Sequence, residues 1–289
     1  MIRRRTFLIG AAAGALAAPA VVRAQSVTRK TIKVALAPSQ PTQQETRKVW
    51  EPLYRMVCER IGADLDLKVA NDWAGVSVAI GSEQADLAQL GPWGYVLAKN
   101  SSGTRVINVM LVEGKPTYNG LIVARPDLKL EKFPQDAKGM SMQMLDTGST
   151  TGWMVPTHYF RSQGIEPKTF FGKYAEGASA AAAQMATING QVDLATGWDI
   201  HRNTMIRNGL MKADSNKIVW QSVPLPNEPV VVRKSMDDET AAALQAAFNN
   251  LTAEELKVLP WPYTGYRTTT HEPYVVLEVM GRDLGVLKT

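Results

Sequence analysis

The stretch MLDTGSTTGW, residues 144–153, decides between two unrelated folds. Asp-Thr-Gly-Ser is the catalytic signature of aspartic proteases, which need two facing loops of this kind because their two carboxylates share a proton. The sequence contains no second Asp-Thr-Gly or Asp-Ser-Gly. A strand-like run at residues 140–145 and a helical pattern at residues 151–163 flank the loop instead. The stretch therefore predicts a strand–loop–helix unit of an α/β protein and argues against the protease.

The same loop concentrates three hydroxyl side chains. Ser149, Thr150 and Thr151 stand between Gly148 and Gly152, directly before the predicted helix. One interpretation is ordinary N-capping of that helix. The other is a site for a small anion, bound by hydroxyls and by backbone N–H groups at the helix start. The phosphate-binding glycine patterns of nucleotide sites are absent from the sequence, so no nucleotide is indicated.

Strand and helix patterns alternate along the rest of the chain. Strands are predicted at residues 31–37, 64–70, 85–90, 105–112, 121–124, 140–145, 192–196, 218–223 and 230–233, mostly separated by helical patterns. Such alternation is typical of parallel sheets covered by helices. The series divides near Pro126 and again at the Pro-rich residues 224–229. We therefore expect an α/β fold of two lobes, residues 25–124 with 228–289 and residues 125–227, joined by two crossing strands.

The N-terminus has the pattern of an export signal. Three arginines, Arg3 to Arg5, precede an Ala-rich apolar run, and Val-Arg-Ala stands before Gln25. The order of basic, apolar and small residues predicts a secretory signal peptide at residues 1–24, cleaved near Ala24. Arg-Arg-Thr-Phe-Leu resembles the twin-arginine signal, which exports folded proteins. We therefore expect a soluble periplasmic protein.

The charge of the chain depends on that leader. The full sequence has 32 basic and 27 acidic residues, a net charge of +5. Four of the arginines lie in the predicted leader, which leaves 28 basic against 27 acidic residues, a net charge of +1. A nucleic-acid partner is therefore not expected. The lone Cys58 excludes an intrachain disulfide, and neither a metal site nor a cofactor is expected.

Five fragments, in the same order along the chain, resemble one family. DTGSTTGWMVP (146–156) is similar to the D-P-x-S-T-S-G-[FY]-L-V-P stretch of the periplasmic substrate-binding proteins of phosphonate and phosphite ABC importers. NDWAG (71–75), ADLAQLGPWGY (85–95), NGQVDLAT (189–196) and VPLPNEPVVVRK (223–234) resemble further fragments of that family. The resemblance implies the type II periplasmic binding protein fold, with the ligand in a cleft between the lobes.

The resemblance also implies a set of ligand-binding residues. The family's Ser-Thr-Ser corresponds to Ser149, Thr150 and Thr151, its Tyr of D-Y-A-G to Trp73, and its Asp before Pro to Glu228. A further family Tyr has its nearest aromatic counterparts in Trp93 and Tyr95, and a family Glu falls close to Asp199 or Ile200. The anion-binding His of the family, expected near residues 179–181, is missing.

Four tryptophans fall at or beside the expected pocket loops, namely Trp73, Trp93, Trp153 and Trp198. Together with Asp199 or Glu228 they suggest an aromatic cage for a methylated ammonium group. The alternative is that some of them fill the lobe cores, since tryptophan is highly buried on average. Packing is also the favoured interpretation of His201 and of the segment WPYTGY, residues 261–266.

The function implied is the capture of a small phosphorus oxyanion for an ABC importer. The ligand is a phosphonate, with or without an amino or trimethylammonium tail, or phosphite or phosphate. The implied partner is an inner-membrane permease, and a monomer suits the class. A binding protein for another ligand or for a sensor remains an alternative. An exported hydrolase using Ser149 or Ser179 is disfavoured because neither serine has an obvious base or stands in a G-x-S-x-G elbow.

Overall fold

Two β-sheets, each covered by helices, form the two lobes in the computed structural model, which describes residues 29–40 and 42–288. The expected leader lies outside the described residues. The strands are β1 (Thr31–Leu36), β2 (Asp64–Val69), β3 (Leu87–Gln89), β4 (Arg105–Val112), β5 (Thr117–Tyr118), β6 (Gly120–Ala124), β7 (Ser141–Leu145), β8 (Lys173–Ala178), β9 (Leu194–Trp198), β10 (Lys217–Gln221), β11 (Leu225–Pro226), β12 (Pro229–Val232) and β13 (Tyr263–Thr268).

The helices alternate with these strands. They are α1 (Gln43–Arg60), α2 (Trp73–Gly81), α3 (Pro92–Ser102), α4 (Val155–Ser162), α5 (Pro167–Phe170), α6 (Ala180–Ile188), α7 (Asp199–Arg207), α8 (Asp238–Asn249) and α9 (Val275–Asp283). A π-helix, Thr150–Met154, leads directly into α4, and short 3₁₀ helices occur at Gln135–Ala137, Glu255–Val258 and Glu272–Tyr274. The predicted alternation of strands and helices is confirmed.

Both sheets mix parallel and antiparallel pairing. The first sheet has the order β13-β4-β12-β3-β1-β2, and β1 pairs in parallel with both β2 and β3. The second sheet has the order β10-β6-β9-β7-β8, and β7 pairs in parallel with both β8 and β9. In each sheet the parallel strands end on the side that faces the other lobe, which is where ligands of open α/β sheets bind.

The chain crosses between the lobes on a two-stranded ribbon. β5 and β11 pair antiparallel, with Tyr118 opposite Leu225 and Thr117 opposite Pro226. The strand β6, residues 120–124, was expected in lobe 1 but pairs with β9 and β10 of the second sheet. The first crossing therefore lies before Gly120 and not after Ala124. The buried apolar run of β6 fits the interior of either sheet, so its composition did not reveal the lobe.

The helix α1 shows how local sequence sets these elements. The Thr42 hydroxyl accepts a hydrogen bond from the Glu45 N–H (3.1 Å), and the Glu45 carboxylate accepts one from the Thr42 N–H (3.0 Å). This reciprocal capping box fixes the start of the helix. The buried face, which includes Trp50, Tyr54 and Cys58, packs on the first sheet. Cys58 is therefore a core residue, and burial raises the pKa of its thiol to about 11.

Candidate functional site

A small cavity lies where the two lobes and the crossing strands meet. It is lined by Trp73, Gly91, Tyr118, Ser149, Thr150, Thr151, Trp198 and Glu228. We call this cavity the head pocket. Its volume is about 10 Å³, which is room for about one water molecule. The lobes are thus closed on each other, and a ligand enters only if they part.

The floor of the head pocket is the hydroxyl-rich loop after β7. The Ser149 hydroxyl accepts a hydrogen bond from the Gly152 N–H (3.1 Å) and so caps the π-helix. The first N–H groups of a helix have no partner within the helix, so those of Thr150 and Thr151 are available to a ligand. All three hydroxyl side chains are buried. The loop is therefore a helix cap whose hydroxyl side chains also line the cavity, so capping does not exclude the expected anion site.

Two glycines let this loop approach its neighbours. A Cβ atom on Gly152 would lie 2.4 Å from side-chain atoms of Leu145, so the helix start could not sit on the end of β7. A Cβ atom on Gly148 would lie 2.5 Å from the backbone nitrogen of Ala74, which belongs to the opposite lobe. Gly148 therefore makes a close backbone contact that exists only when the lobes are closed.

Lobe 1 supplies the roof. One of its contacts with the loop is a hydrogen bond from the Trp93 N–H, at the start of α3, to the Thr150 hydroxyl oxygen (2.9 Å). The indole of Trp73, at the start of α2, meets the indole of Trp198 edge to face, with ring centroids 5.9 Å apart. Two aromatic walls, one from each lobe, therefore close the pocket beside the hydroxyls.

Tyr118 enters the head pocket from the crossing strand β5, and no motif in the sequence predicts this position. Its side chain is buried and lines the cavity beside Thr150 and Thr151. Burial, and then the nearby Glu228 carboxylate, hold the pKa of Tyr118 well above its usual value. Tyr118 therefore stays protonated and remains a hydrogen-bond donor. The family pattern has a tyrosine where this chain has Trp73. Tyr118, which the crossing strand β5 brings into the pocket, supplies a phenol in its place.

Glu228 is the acidic residue of the pocket. Its carboxylate accepts a hydrogen bond from the side-chain amide of Gln89 (3.1 Å), whose oxygen accepts from the hydroxyls of Tyr54 and Tyr266 (3.0 and 2.9 Å). These two tyrosines fix the orientation of the Gln89 amide. Burial raises the pKa of Glu228 to about 7, although the Gln89 bond opposes the rise.

Four expected site residues lie outside the head pocket. The Trp93 ring is fully buried against Gly281, where an added Cβ would lie 2.5 Å from a ring atom. The Tyr95 hydroxyl hydrogen-bonds His271 Nδ1 at 3.0 Å, beneath the C-terminal segment. The Trp153 indole N–H donates to Glu176 at 2.9 Å.

The fourth is Asp199. Its carboxylate accepts a hydrogen bond from the N–H of Ile200 (2.8 Å) at the start of α7, and burial raises its pKa. Neither its side chain nor those of Trp93, Tyr95 and Trp153 lines the cavity. The expected cage of four tryptophans is therefore corrected: Trp73 and Trp198 line the pocket, Trp93 is fully buried in its lobe, and Trp153 is half-buried against the core of lobe 2.

A second cavity adjoins the first, and Trp198 and Glu228 line both. We call it the tail pocket. Its volume is about 50 Å³. Its remaining lining residues are Ser39, Gln40, Trp50, Ile200, His201, Thr204, Pro260, Trp261 and Tyr263. Packing was expected for His201 and for the segment 261–266, but His201 and two residues of that segment, Trp261 and Tyr263, line a cavity beside the head pocket.

The architecture and the site together define a class. Two α/β lobes joined by two crossing strands, closed on a polar cavity, have the type II fold of periplasmic binding proteins. The family model for the periplasmic substrate-binding protein of the phosphonate ABC transporter matches residues 34–274. The chain belongs to this family, and its partner class is thus the permease of such an importer. The resemblance inferred from five fragments is confirmed.

Relatives agree with this assignment. The phosphonates-binding periplasmic protein of Escherichia coli is 25% identical over 228 residues, which cover 76% of this chain and 67% of that protein. The phosphate-import protein PhnD of Mycolicibacterium smegmatis is 26% identical over 232 residues, covering 76% and 71%. The structure of PhnD1 from Prochlorococcus marinus in complex with methylphosphonate superposes with a TM-score of 0.78, at 16% identity and covering 89% and 99% of the two chains. That last likeness shows the shared fold.

Within the described residues, no helix combines the length and the apolar character that a membrane span requires.

Proposed function

We propose that the head pocket captures the oxyanion of a phosphonate and that the chain delivers it to an ABC permease. The observation that carries the proposal is the set of donors around the cavity: three buried hydroxyl side chains, the Tyr118 phenol and the free N–H groups of a helix start. Hydroxyls and N–H groups at a helix N-terminus suit an oxyanion without a basic side chain. In the described part of the chain, neither lysine nor arginine lines this pocket.

The ligand-binding residues we propose are those that the geometry brings together. Ser149, Thr150 and Thr151 bind the oxyanion from lobe 2, and Tyr118 donates from the crossing strand. Trp73 and Trp198 cover the bound group and exclude water, which strengthens the hydrogen bonds in the closed cleft. The names of relatives include both phosphonate and phosphate, so phosphonate, phosphite and phosphate form the ligand panel.

The protein acts by binding and not by catalysis in this proposal. The Ser149 hydroxyl accepts from the Gly152 N–H, and the Ser179 hydroxyl accepts from the Ala182 N–H at the start of α6. Both serines therefore serve as helix caps, while a nucleophilic serine needs a base placed against it. No cofactor is required for capture.

The experiment is a calorimetric titration of the chain from Gln25 to Thr289 with phosphate, phosphite and methylphosphonate. Thr151→Val keeps the side-chain shape and removes one hydroxyl donor. A hydrogen bond to a charged group contributes about 1.5–3 kcal/mol, so we expect roughly ten- to a hundredfold weaker binding. Thr187→Val is the matched control, because Thr187 is also a buried threonine but its hydroxyl donates to Ala183 within α6.

Two outcomes are informative. Binding of one phosphorus compound that Thr151→Val weakens and Thr187→Val does not supports the head pocket. Failure of all three compounds to bind, or equal effects of the two variants, contradicts it.

We further propose export by the leader and a monomeric mature protein. The basic and apolar pattern of residues 1–24 supports cleavage near Ala24, and the relatives named as periplasmic support the compartment. Mass spectrometry of the periplasmic fraction should find an N-terminus at Gln25, and light scattering should give the mass of one chain. An uncleaved N-terminus or a dimer mass would contradict these two proposals.

A further inference from the structure

The tail pocket has aromatic side chains on several sides. Trp50 and Tyr263 pack with ring centroids 5.5 Å apart, and Trp198 packs on His201 with centroids 5.0 Å apart. The Trp50 indole N–H donates to the Ser39 hydroxyl at 3.0 Å, which fixes the ring. Trp261 completes the lining and remains 38% exposed, an unusual exposure for a tryptophan. Four aromatic rings from α1, from β9 and from the segment around β13 thus meet beside the head pocket.

The charges of this pocket favour a cation. Among the described residues that line the two pockets, Glu228 is the one acid, and none is lysine or arginine. His201 is neutral near pH 7, because burial lowers its pKa to about 4. The exposed Arg207 guanidinium lies outside the pocket over the Trp261 ring, 4.9 Å from its centroid. An anionic ligand with no positive charge of its own would therefore find one charged side chain in the described lining, the Glu228 carboxylate, which repels it when ionised.

A ligand that carries its own positive charge resolves this conflict. Glu228 lines both pockets, so a cationic group in the tail pocket would lie beside the carboxylate while the oxyanion occupies the hydroxyl floor. Faces of Trp and Tyr attract a cation within about 6 Å of the ring centroid. The tail pocket supplies both kinds of attraction.

The type of cation follows from the hydrogen-bonding groups. A primary ammonium has three N–H donors that need acceptors. The Ser39 hydroxyl accepts from Trp50 and the Thr204 hydroxyl donates to the Ile200 carbonyl (2.8 Å), so each keeps one or two lone pairs. The Gln40 and Glu228 side chains are further acceptors, whereas aromatic rings form several walls of the pocket. Aromatic faces instead attract a methylated ammonium, which needs no hydrogen-bond acceptor.

We propose that the tail pocket binds a quaternary, methylated ammonium group that is joined by a short carbon chain to the phosphonate in the head pocket. This inference rests on the proposed function, since the oxyanion must occupy the head pocket. Trp50, Trp198, Trp261 and Tyr263 form the aromatic walls, and Glu228 provides the negative charge.

The test compares three ligands by calorimetric titration: methylphosphonate, 2-aminoethylphosphonate and its N-trimethyl derivative. We expect the trimethylated compound to bind at least about tenfold more tightly than the other two, the effect of a desolvated cation–π contact. Trp261→Ala should reduce the ratio of the affinity for the trimethylated compound to the affinity for methylphosphonate several-fold. Trp261→Phe should restore most of this ratio. Thermal unfolding without ligand shows whether each variant is folded.

A second variant keeps the inference testable if Trp261→Ala does not fold. Glu228→Gln removes the negative charge and should lower the affinity ratio of trimethylated compound to methylphosphonate. The failures are distinguishable. If none of the phosphonates binds, the proposed function fails and this inference with it. If methylphosphonate binds and the trimethylated compound binds no more tightly, or if both variants leave the ratio unchanged, only the tail inference fails.

Discussion

Replacing Glu228 by glutamine should change the pH dependence of stability in a defined direction. Glu228 is a half-buried carboxyl with a single hydrogen bond, from the Gln89 amide, and burial raises its pKa from 4.5 to about 7. In the unfolded chain the same carboxyl has its ordinary pKa of 4.5. Between these two pKa values the folded protein holds a proton that the unfolded chain has lost.

The magnitude follows from the difference between the two pKa values. That difference is about 2.5, and each unit of pKa corresponds to about 1.4 kcal/mol. Because the unfolded state binds fewer protons over this interval, the free energy of unfolding falls as the pH rises from about 4.5 to about 7 and then levels off. Glutamine cannot ionise, so the free energy of unfolding of Glu228→Gln does not fall for this reason as the pH rises. Relative to the wild type, the variant should gain roughly 3 kcal/mol of stability between pH 4 and pH 8.

The assay is urea unfolding of both proteins at pH 4 and pH 8 without ligand. The comparison with the variant is necessary because His201 has the opposite effect on the acid side: burial lowers its pKa to about 4, so stability is lost as the pH falls below 6.5. That contribution is common to both proteins and cancels in the difference. A free-energy difference between variant and wild type that is the same at both pH values would refute the reasoning.

Three further perturbations test other parts of the structure. Gly148→Ala places a Cβ 2.5 Å from the Ala74 backbone nitrogen of the opposite lobe. Ligand affinity should therefore fall at least about tenfold, and small-angle scattering should show incomplete closure of the lobes. Unchanged affinity would argue against the close approach. Asp146→Asn keeps a hydrogen-bond acceptor but removes the negative charge at the start of α2. That charge contributes about 0.3–1 kcal/mol to the closed state, so a ligand titration should show a two- to fivefold weaker affinity. An unchanged affinity would contradict this role of Asp146. His201→Gln should flatten the loss of unfolding free energy between pH 6.5 and pH 4, and a persisting loss would show that another group causes it.

The elements with a clear apolar period could be predicted from the sequence, and the exposed ones could not. The strands β1, β2 and β4 have β-rich runs, and the pattern of α1 places its apolar residues on one face. The edge strands β8 and β13 were missed because their sequences, KYAEGA and YTGYRT, contain glycine and charged residues and lie at the ends of their sheets. Such strands form because a neighbour supplies the hydrogen bonds, which is a property of tertiary structure.

The candidate site divides in a similar way. Residues within the family-like fragments, such as Ser149 and Glu228, lie in the head pocket. Sequence position could not show the direction of an aromatic side chain, so Trp93 was grouped with Trp73 although its ring turns into the lobe. The tail pocket could not be predicted at all, because Trp50 and Tyr263 are more than 200 residues apart and meet only after the first sheet has formed.

The aspartate of the Asp-Thr-Gly-Ser sequence has a structural role that explains its place beside the anion loop. Asp146 accepts a hydrogen bond from the Gly148 N–H (2.9 Å), and its other oxygen lies 3.5 Å from the Trp73 N–H at the start of α2 in the opposite lobe. A carboxylate at a helix N-terminus is stabilised by the helix dipole. This contact forms only when the lobes close, and the same loop holds the hydroxyls of the head pocket. A ligand that binds more tightly to the closed lobes therefore also favours this contact, which couples occupancy of the pocket to the closed conformation.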